Sequence, residues 1–344
     1  MKARYIYIAF AMACLCQSPA VSAQENGGFL DKVKNVFSSE VRIGTYTFKD
    51  GAVYTGEMKG RKPNGKGKTV FKNGDTYEGE YVKGKRQGYG VYTFSDGERY
   101  EGQWFQDQQH GQGVYYFVNN NRYDGLWYQD YQYGEGTMYY YNGDVYVGNW
   151  VNDKREGQGT YTWKNGSSYT GSWKNDKKNG RGKLVWNDGS QYDGDWKDDF
   201  RSGQGTFDYA NGDKYVGGFK NGKQEGKGTF TWANGAVYEG EWLDNERSGK
   251  GVYKWSTGDS YEGEWKHNKF DGRGTLIQAN GTRYTGGFVD GLEEGSGIQT
   301  DKDGNTYEGF FKQGKKDGPF VEKDKFGKVI RKVTYKMGRI VSTN

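Results

Sequence analysis

Thiol chemistry is almost absent from this chain. Its two cysteines, Cys14 and Cys16, both fall within the first 23 residues. Histidine is equally scarce, with two residues, so zinc sites and Cys–His catalysis have no raw material. Proline appears three times, and no run after residue 23 is apolar enough to span a bilayer. Nor is there a dominant charge: the net +5 falls to +3 once Lys2 and Arg4 are set aside, since residues 1–23 hold no acid. So even a balance is poorly suited to neutralising the phosphates of a nucleic acid, and no nucleic-acid partner is expected.

Residues 1–23 read as an export signal. Lys2 and Arg4 make a basic start, Tyr5 to Cys16 is apolar, and Val21-Ser22-Ala23 supplies a small-residue cleavage site. A secreted or periplasmic mature chain starting near Gln24 is expected, with no disulfide. A lipoprotein acylated at Cys14 is the weaker reading, because Ala11 replaces the leucine usual there.

What the chain does have is glycine, 58 residues, and aromatics at 17%. These are not scattered. Tyr-x-Gly recurs twelve times, from Tyr54 to Tyr307, always at a step of 23 residues. A second glycine follows eleven residues after each tyrosine (Gly65 to Gly318), and a third two residues later in the first eleven units (Gly67 to Gly297). A fourth closes the unit, usually after Asn or Asp, as in Asn73-Gly74. Most tyrosines have another aromatic four residues on, such as Trp104, Trp127 and Trp150.

Side-chain parity fixes the unit. Gly67–Phe71 and Asp75–Tyr81 alternate as strands do, with Asn73-Gly74 as a hairpin turn between them. A two-residue turn would put Phe71 and Tyr77 on opposite faces. A three-residue loop with Gly74 left-handed puts Thr69, Phe71, Tyr77 and Tyr81 together. Gly67 and Gly79 then face each other beneath the rings, while Lys68, Val70, Glu78 and Glu80 point the other way. The expected fold is all-β: an elongated, twisted, single-layer antiparallel sheet of repeated β-hairpins. At roughly 4.8 Å per strand, twelve units extend on the order of 115 Å.

The expected organisation is a signal peptide (1–23), a short helical cap or linker (24–41), the array (42–328) and a charged C-terminal capping strand (329–344). The cap rests on the helical spacing of Phe29, Leu30, Val33, Val36 and Phe37. Gly44 to Gly51 reads as half of a truncated leading unit, and Pro319-Phe320 breaks the glycine pattern at the far end. Ile330 and Lys332 stand where the next Tyr and Gly would fall, and Arg331, Lys332 and Lys336 would discourage further strand pairing.

Catalysis finds little support. His110 and His267 are about seven units, roughly 65 Å, apart and read as loop substitutions. Carboxylate pairs such as Glu78/Glu80 and Asp193/Asp195 recur at one repeat position, as a solvated face does and an active site does not. Six-residue loops between units carry bases such as Lys83, Lys85, Arg86, Lys177 and Lys178, diluted by Asp153, Asp176 and Asp199. No cofactor or metal is expected.

One region departs from the pattern. Where other units carry polar residues, the third and fourth carry Val114, Tyr116, Val118, Leu126, Tyr139 and Tyr141, beside a loop with Tyr128, Tyr131 and Tyr133. Asn120 replaces the closing glycine there. The readings are an interface, which an apolar patch on a wet face usually marks, or local drift with rings shielding one another.

From about Arg42 to Gly327 the residues quoted above resemble the MORN-repeat family (membrane occupation and recognition nexus). The resemblance implies a curved antiparallel sheet with an aromatic groove. It further implies scaffolding, dimerisation, partner-segment binding and phospholipid association. The expected function is an exported, non-catalytic scaffold that binds a protein partner, or itself as a homodimer, through groove or patch. The alternative is a cell-envelope module for carbohydrate or anionic lipid, because Tyr and Trp rows also stack on glycan rings.

Overall fold

A computed structural model describes residues 41–343. The signal expected over 1–23, and all of the cap expected over 24–41 except Val41, lie outside the described residues. The described chain forms 27 strands in one antiparallel sheet, each pairing with its neighbours along the chain. β1 (Arg42–Thr47) and β2 (Val53–Lys59) pair Gly44 with Gly56 and Tyr46 with Tyr54. Residues 44–51 thus occupy the place of half a unit.

The hairpin loops follow the parity argument. Between β3 (Lys62–Val70) and β4 (Thr76–Val82), the Phe71 N–H donates to the Asp75 carbonyl at 2.9 Å. Gly74 N–H returns to the Phe71 carbonyl at 3.1 Å, with Gly74 at φ +91°. The loop is therefore Lys72-Asn73-Gly74. Thr69 pairs with Tyr77 and Gly67 with Gly79, and the Thr69 hydroxyl meets Tyr81 Oη at 2.5 Å.

Glycine and tyrosine recur together because one leaves the space that the other fills. From Tyr54 to Tyr284 each repeat tyrosine lies over a glycine pair formed by its own strand and the next. A Cβ on Gly159 would lie 2.3 Å from Tyr146 Oη, and one on Gly148 2.5 Å from the Gly159 Cα. The rings from Tyr54 to Tyr261 are completely buried, and each hydroxyl donates to the carbonyl three residues on, as Tyr100 does to Gln103 at 2.9 Å. Burial raises these phenols, Tyr54 to about 12 with help from Glu57, so they remain neutral donors. Tryptophan locks successive units: Trp104 stands edge-on to Tyr77 and to Tyr100, both at 5.3 Å, and its indole N–H donates to the Gly90 carbonyl at 3.2 Å. Such ring pairs add about 0.5–1.5 kcal/mol each beyond area burial.

The connections between units differ from expectation. They are two-residue turns, not six-residue loops. Lys83 (φ 51°) and Gly84 (φ 86°) join β4 directly to β5 (Lys85–Thr93). The surplus length enters a bulge: Gly79 pairs with Gly90 and Tyr81 with Arg86, so Glu80 faces Gln87, Gly88 and Tyr89. Gly88, at φ +68°, makes the bend. Two extra residues are an even number, so parity survives, and Arg86 joins Tyr81 on the aromatic face. Arg86 and Lys178 are accordingly not edge bases. His110 also lies on a strand, Gln108–Tyr116, and not in a loop, whereas His267 does occupy a turn.

At the C-terminal end Phe320 stands where a glycine would be, pairing with Gly309. Tyr307 then loses its glycine seat, remains half-buried and donates to Asp301 Oδ2 at 3.1 Å. A one-residue slip between Glu322 and Lys323 swings Val333 and Tyr335 onto the aromatic face, leaving Ile330 57% exposed and Lys332 facing solvent. Residues 329–343 form a hairpin of two strands, Val329–Lys336 and Arg339–Thr343, where one capping strand was expected. Arg331, Lys332 and Lys336 are therefore on the inner strand.

Candidate binding groove

Besides the strand partners of the repeat tyrosines, such as Tyr92, Tyr115, Met138 and Phe207, three rows of side chains cover the aromatic face. The repeat tyrosines form its floor, with the Trp104–Trp265 row beside them, and both are buried. A third row, nearer the three-residue loops, is only half-buried. It includes Phe94, Phe117, Tyr140, Trp163, Trp186 and Trp232, and it is aromatic at every unit from Phe71 to Trp255. Beyond that point the same position holds Gln278, Asp301 and Asp324, so the aromatic groove ends there.

A fourth row carries charge. Nine residues after the tyrosine, Arg86, Arg155, Lys178, Arg201 and Arg247 lie against the rings. Arg86 is 4.2 Å from the Trp104 centroid, Arg155 4.4 Å from Trp173, Lys178 4.8 Å from Trp196 and Arg247 4.5 Å from Trp265. Burial pushes Lys178, Arg201 and Arg247 below their ordinary values. The second turn residue of the next unit fixes this row. Asp107 Oδ1 accepts the Arg86 backbone N–H at 2.8 Å, Asp176 that of Arg155 at 3.0 Å, and Asp199 that of Lys178 at 2.9 Å. Sequence reasoning placed Arg86, Lys178, Asp176 and Asp199 at a solvated edge. The signal that was available is the recurrence of Asp at 107, 130, 153, 176 and 199, which a random loop would not show.

On the opposite face the nine patch residues separate into groups. Tyr128 and Tyr131 face each other across the Gln129-Asp130 turn, and Tyr133 lies 5.7 Å from Tyr128. His110 at 5.4 Å from Tyr128, and Phe105 at 5.6 Å from His110, extend this cluster along the edge. At the other edge Val118 and Tyr141 sit on three-residue loops, 65% and 76% exposed. Tyr116 and Tyr139 are each covered by an arginine, Arg99 at 4.5 Å and Arg122 at 4.2 Å. Arg122 lies between the two tyrosines, and its buried Nε has no partner among the described residues. Val114 and Leu126 fall between the groups, with Asp124 paired to Val114. The strand Arg122–Tyr128 sets the two edges about 20 Å apart, with Val114 and Leu126 between them.

Among the described residues, no group of three or more His, Cys, Asp or Glu is placed to hold a metal ion, and no helix is long and apolar enough to cross a membrane. Some of the recurring carboxylates of the polar face form exposed ion pairs, such as Asp193 with Arg181 at 3.2 Å, and others accept backbone N–H groups, as Glu264 does from Arg273 at 3.3 Å.

Several solved structures show limited similarity. The SAS-4 TCP domain of Drosophila melanogaster, solved with a proline-rich motif of Ana2, is 14% identical over 57% of this chain and 86% of that one, with a TM-score of 0.27. The TCP10 domain of Danio rerio CPAP is 12% identical over 77% and 98%, at 0.17. Virginiamycin B lyase from Staphylococcus aureus is 10% identical over 78% and 94%, at 0.14. Scores so low carry no inference about this chain. No curated protein matches it. The family comparison is of another order: the MORN repeat is matched in eleven stretches, 54–122 and 146–319, in steps of 23 residues. The unit left out, 123–145, keeps the sheet register and buries Tyr123 and Trp127 like its neighbours. With that register and those matches, the chain belongs to the MORN-repeat family.

Proposed function

We propose that this protein is an exported, non-catalytic scaffold that engages a protein partner, or a second copy of itself, along its aromatic groove. MORN repeats are protein- or membrane-binding modules, and this array supplies the surface such binding needs. One observation carries the reading. From Phe71 to Trp255 the third row keeps its rings half-exposed, although the chain had Gln and Asp available for that position and uses them at Gln278 and Asp301. Half-buried aromatic rows are costly on a free surface and typical of interface cores. Export rests on the sequence of residues 1–23 alone.

The test is capture from a cell-envelope extract by the wild-type chain and by Trp163→Ala/Trp186→Ala, with circular dichroism confirming the sheet. A protein retained by the wild type and lost by the variant supports the reading. Equal retention by both refutes the groove as the binding surface. Retention of purified glycan instead of protein supports the carbohydrate alternative.

A further inference from the structure

From Arg86 to Arg247 the groove supplies a cation from its own chain at five of eight positions, and Gln109, Gln132 and Gln224 occupy the other three. Between Arg86 and Arg155 the row reads Gln109 and Gln132. Most of what surrounds the cation elsewhere is retained there, although Met138 stands beside Gln132 where Tyr92 and Tyr161 flank Arg86 and Arg155. Trp127 and Trp150 hold the ring positions, and Asp130 and Asp153 hold the turn positions. Their Oδ1 atoms accept the Gln109 and Gln132 backbone N–H groups at 2.7 and 2.8 Å, as elsewhere in the array. What is missing is the counter-charge. Arg86 answers Asp107 at 3.5 Å and Arg155 answers Asp176 at 3.1 Å, but among the described residues neither Asp130 nor Asp153 has a basic partner within 4.0 Å.

A second observation is independent of the acids. Gln109 and Gln132 are 7% and 5% exposed, yet among the described residues their side-chain amides have no hydrogen-bond partner. Both line an open cleft of about 710 Å³, together with Asp130, Asp153, Trp127 and Trp150. Their amide atoms open onto the cleft and are free to bond a ligand there; among the described residues the one sealed side-chain nitrogen or oxygen without a partner is Arg122 Nε. The cleft also runs through unit 123–145, the stretch the family match leaves out.

We infer that this cleft binds an extended polypeptide segment of a partner through two basic side chains, one beside Asp130 and Trp127, the other beside Asp153 and Trp150. The partner would complete the cation row that the array itself supplies on either side. The Gln109 and Gln132 amides would meet the main chain of the segment. Geometry also sets the spacing of the bases. The two positions lie one unit, or about 9.6 Å, apart at two strands of roughly 4.8 Å each. A polyproline II segment advances about 9.3 Å in three residues, whereas alternate residues of a β-strand advance only about 6.6 Å. The matching segment carries Lys or Arg at every third position. This inference rests on the groove being a binding surface.

The experiment is a fluorescence-anisotropy titration of the signal-free chain with three proline-rich peptides: arginine at every third position, arginine at every second, and glutamate at every third. The first should bind, the second about tenfold more weakly, and the third not at all. Gln109→Arg/Gln132→Arg supplies the array's own cations and should weaken the first peptide by tenfold or more. Asp130→Asn/Asp153→Asn should weaken it by about tenfold while preserving the turn, since Asn245 and Asn268 already cap Gln224 and Arg247 in this way at 2.8 and 2.9 Å. No binding by the wild type, or binding unchanged in both double variants, overturns the inference. The groove reading then still stands if Trp163→Ala/Trp186→Ala loses the captured protein, and falls with it if that variant does not.

Discussion

A single methyl group tests the packing on which the array depends. In Gly159→Ala the new Cβ would lie 2.3 Å from Tyr146 Oη, 2.6 Å from Cζ and 2.7 Å from Cε2. The ring has no room to retreat, because Trp150 and Trp173 stand edge-on to it at 5.2 and 5.4 Å. Overpacking of this kind costs about 1–3 kcal/mol. Shifting the ring also strains the Tyr146 hydroxyl bond to the Asn149 carbonyl, now 3.2 Å, worth about 0.5–1.5 kcal/mol. Alanine returns about 0.5–1 kcal/mol of glycine's entropic disadvantage in a strand. The net expectation is a loss of about 1–3.5 kcal/mol, read as the opening free energy of amides in residues 146–173 by hydrogen exchange, since a repeat array need not unfold in one step. Tyr146→Phe removes the atom in closest contact and frees the ring from its tether. In the double variant the losses should therefore fall short of additive by about 0.5–1.5 kcal/mol. Strict additivity would mean that the ring and the glycine are not coupled, and would refute the account of why tyrosine and glycine recur together.

Two further predictions concern regions where the array departs from its own pattern. Burial raises Glu293 to about 6 against the pull of Lys316, and lowers Lys316 to about 8 against Glu322, Glu293 and Asp301. The raised acid stabilises the fold below its unfolded value and loses that contribution as pH rises through about 6. The lowered base stabilises above its unfolded value and loses that contribution as pH falls through about 8. Local stability of strands Thr306–Lys312 and Lys315–Lys323 should thus be least between about 6 and 8 and rise on acidification to about 5. Further acid should lower it again. Against the push of burial, Arg331 and Tyr335 hold Glu322 low and Asn305 and Tyr307 hold Asp301 low, and both contributions are lost on protonation. Hydrogen exchange corrected for intrinsic rates checks this profile, and a flat acid limb in the wild type would refute it. On the opposite face, replacing Tyr116, Leu126 and Tyr139 with Ser or Thr should leave the circular-dichroism spectrum unchanged. It should also weaken self-association or partner binding in light scattering and pull-down, and unchanged association would leave the patch without a role.

Parity made much of this architecture legible, and parity also explains where reading stopped. The three-residue loop followed from Phe71 and Tyr77 having to share a face. The two-residue turns did not, because Lys83 to Gly88 is an unbroken polar stretch that looks like loop. In a sheet with one wet face, polar residues can continue a strand, and a glycine bulge hides the change of pairing. Several of these turns also lack glycine. Gln106-Asp107 and Asn152-Asp153 hold positive φ at both residues, with Asp107 and Asp153 anchored by bonds to the preceding unit, so the usual turn signature is missing. The C-terminal end shows the converse. One residue of slip at Glu322/Lys323 reversed which side chains face inward, and no composition rule applied to Ile330 and Lys332 anticipates it.

The groove cations were missed for the same reason, and their recovery bears on function. Arg86 reads as an edge base until the bulge is known to be even, at which point it must lie among the rings. A position so placed is under structural demand, since it covers a tryptophan and balances a turn aspartate. Gln109 and Gln132 fail to meet that demand, while Trp127, Trp150, Asp130 and Asp153 remain as though it were met. In unit 215–237 both members are neutral, Gln224 facing Asn245 and bonding Tyr209 at 3.3 Å, and Arg201 and Arg247 keep the base with Gly222 and Asn268 in the acid's place. Where the acid stays and the base is gone, the missing charge is best sought in another molecule.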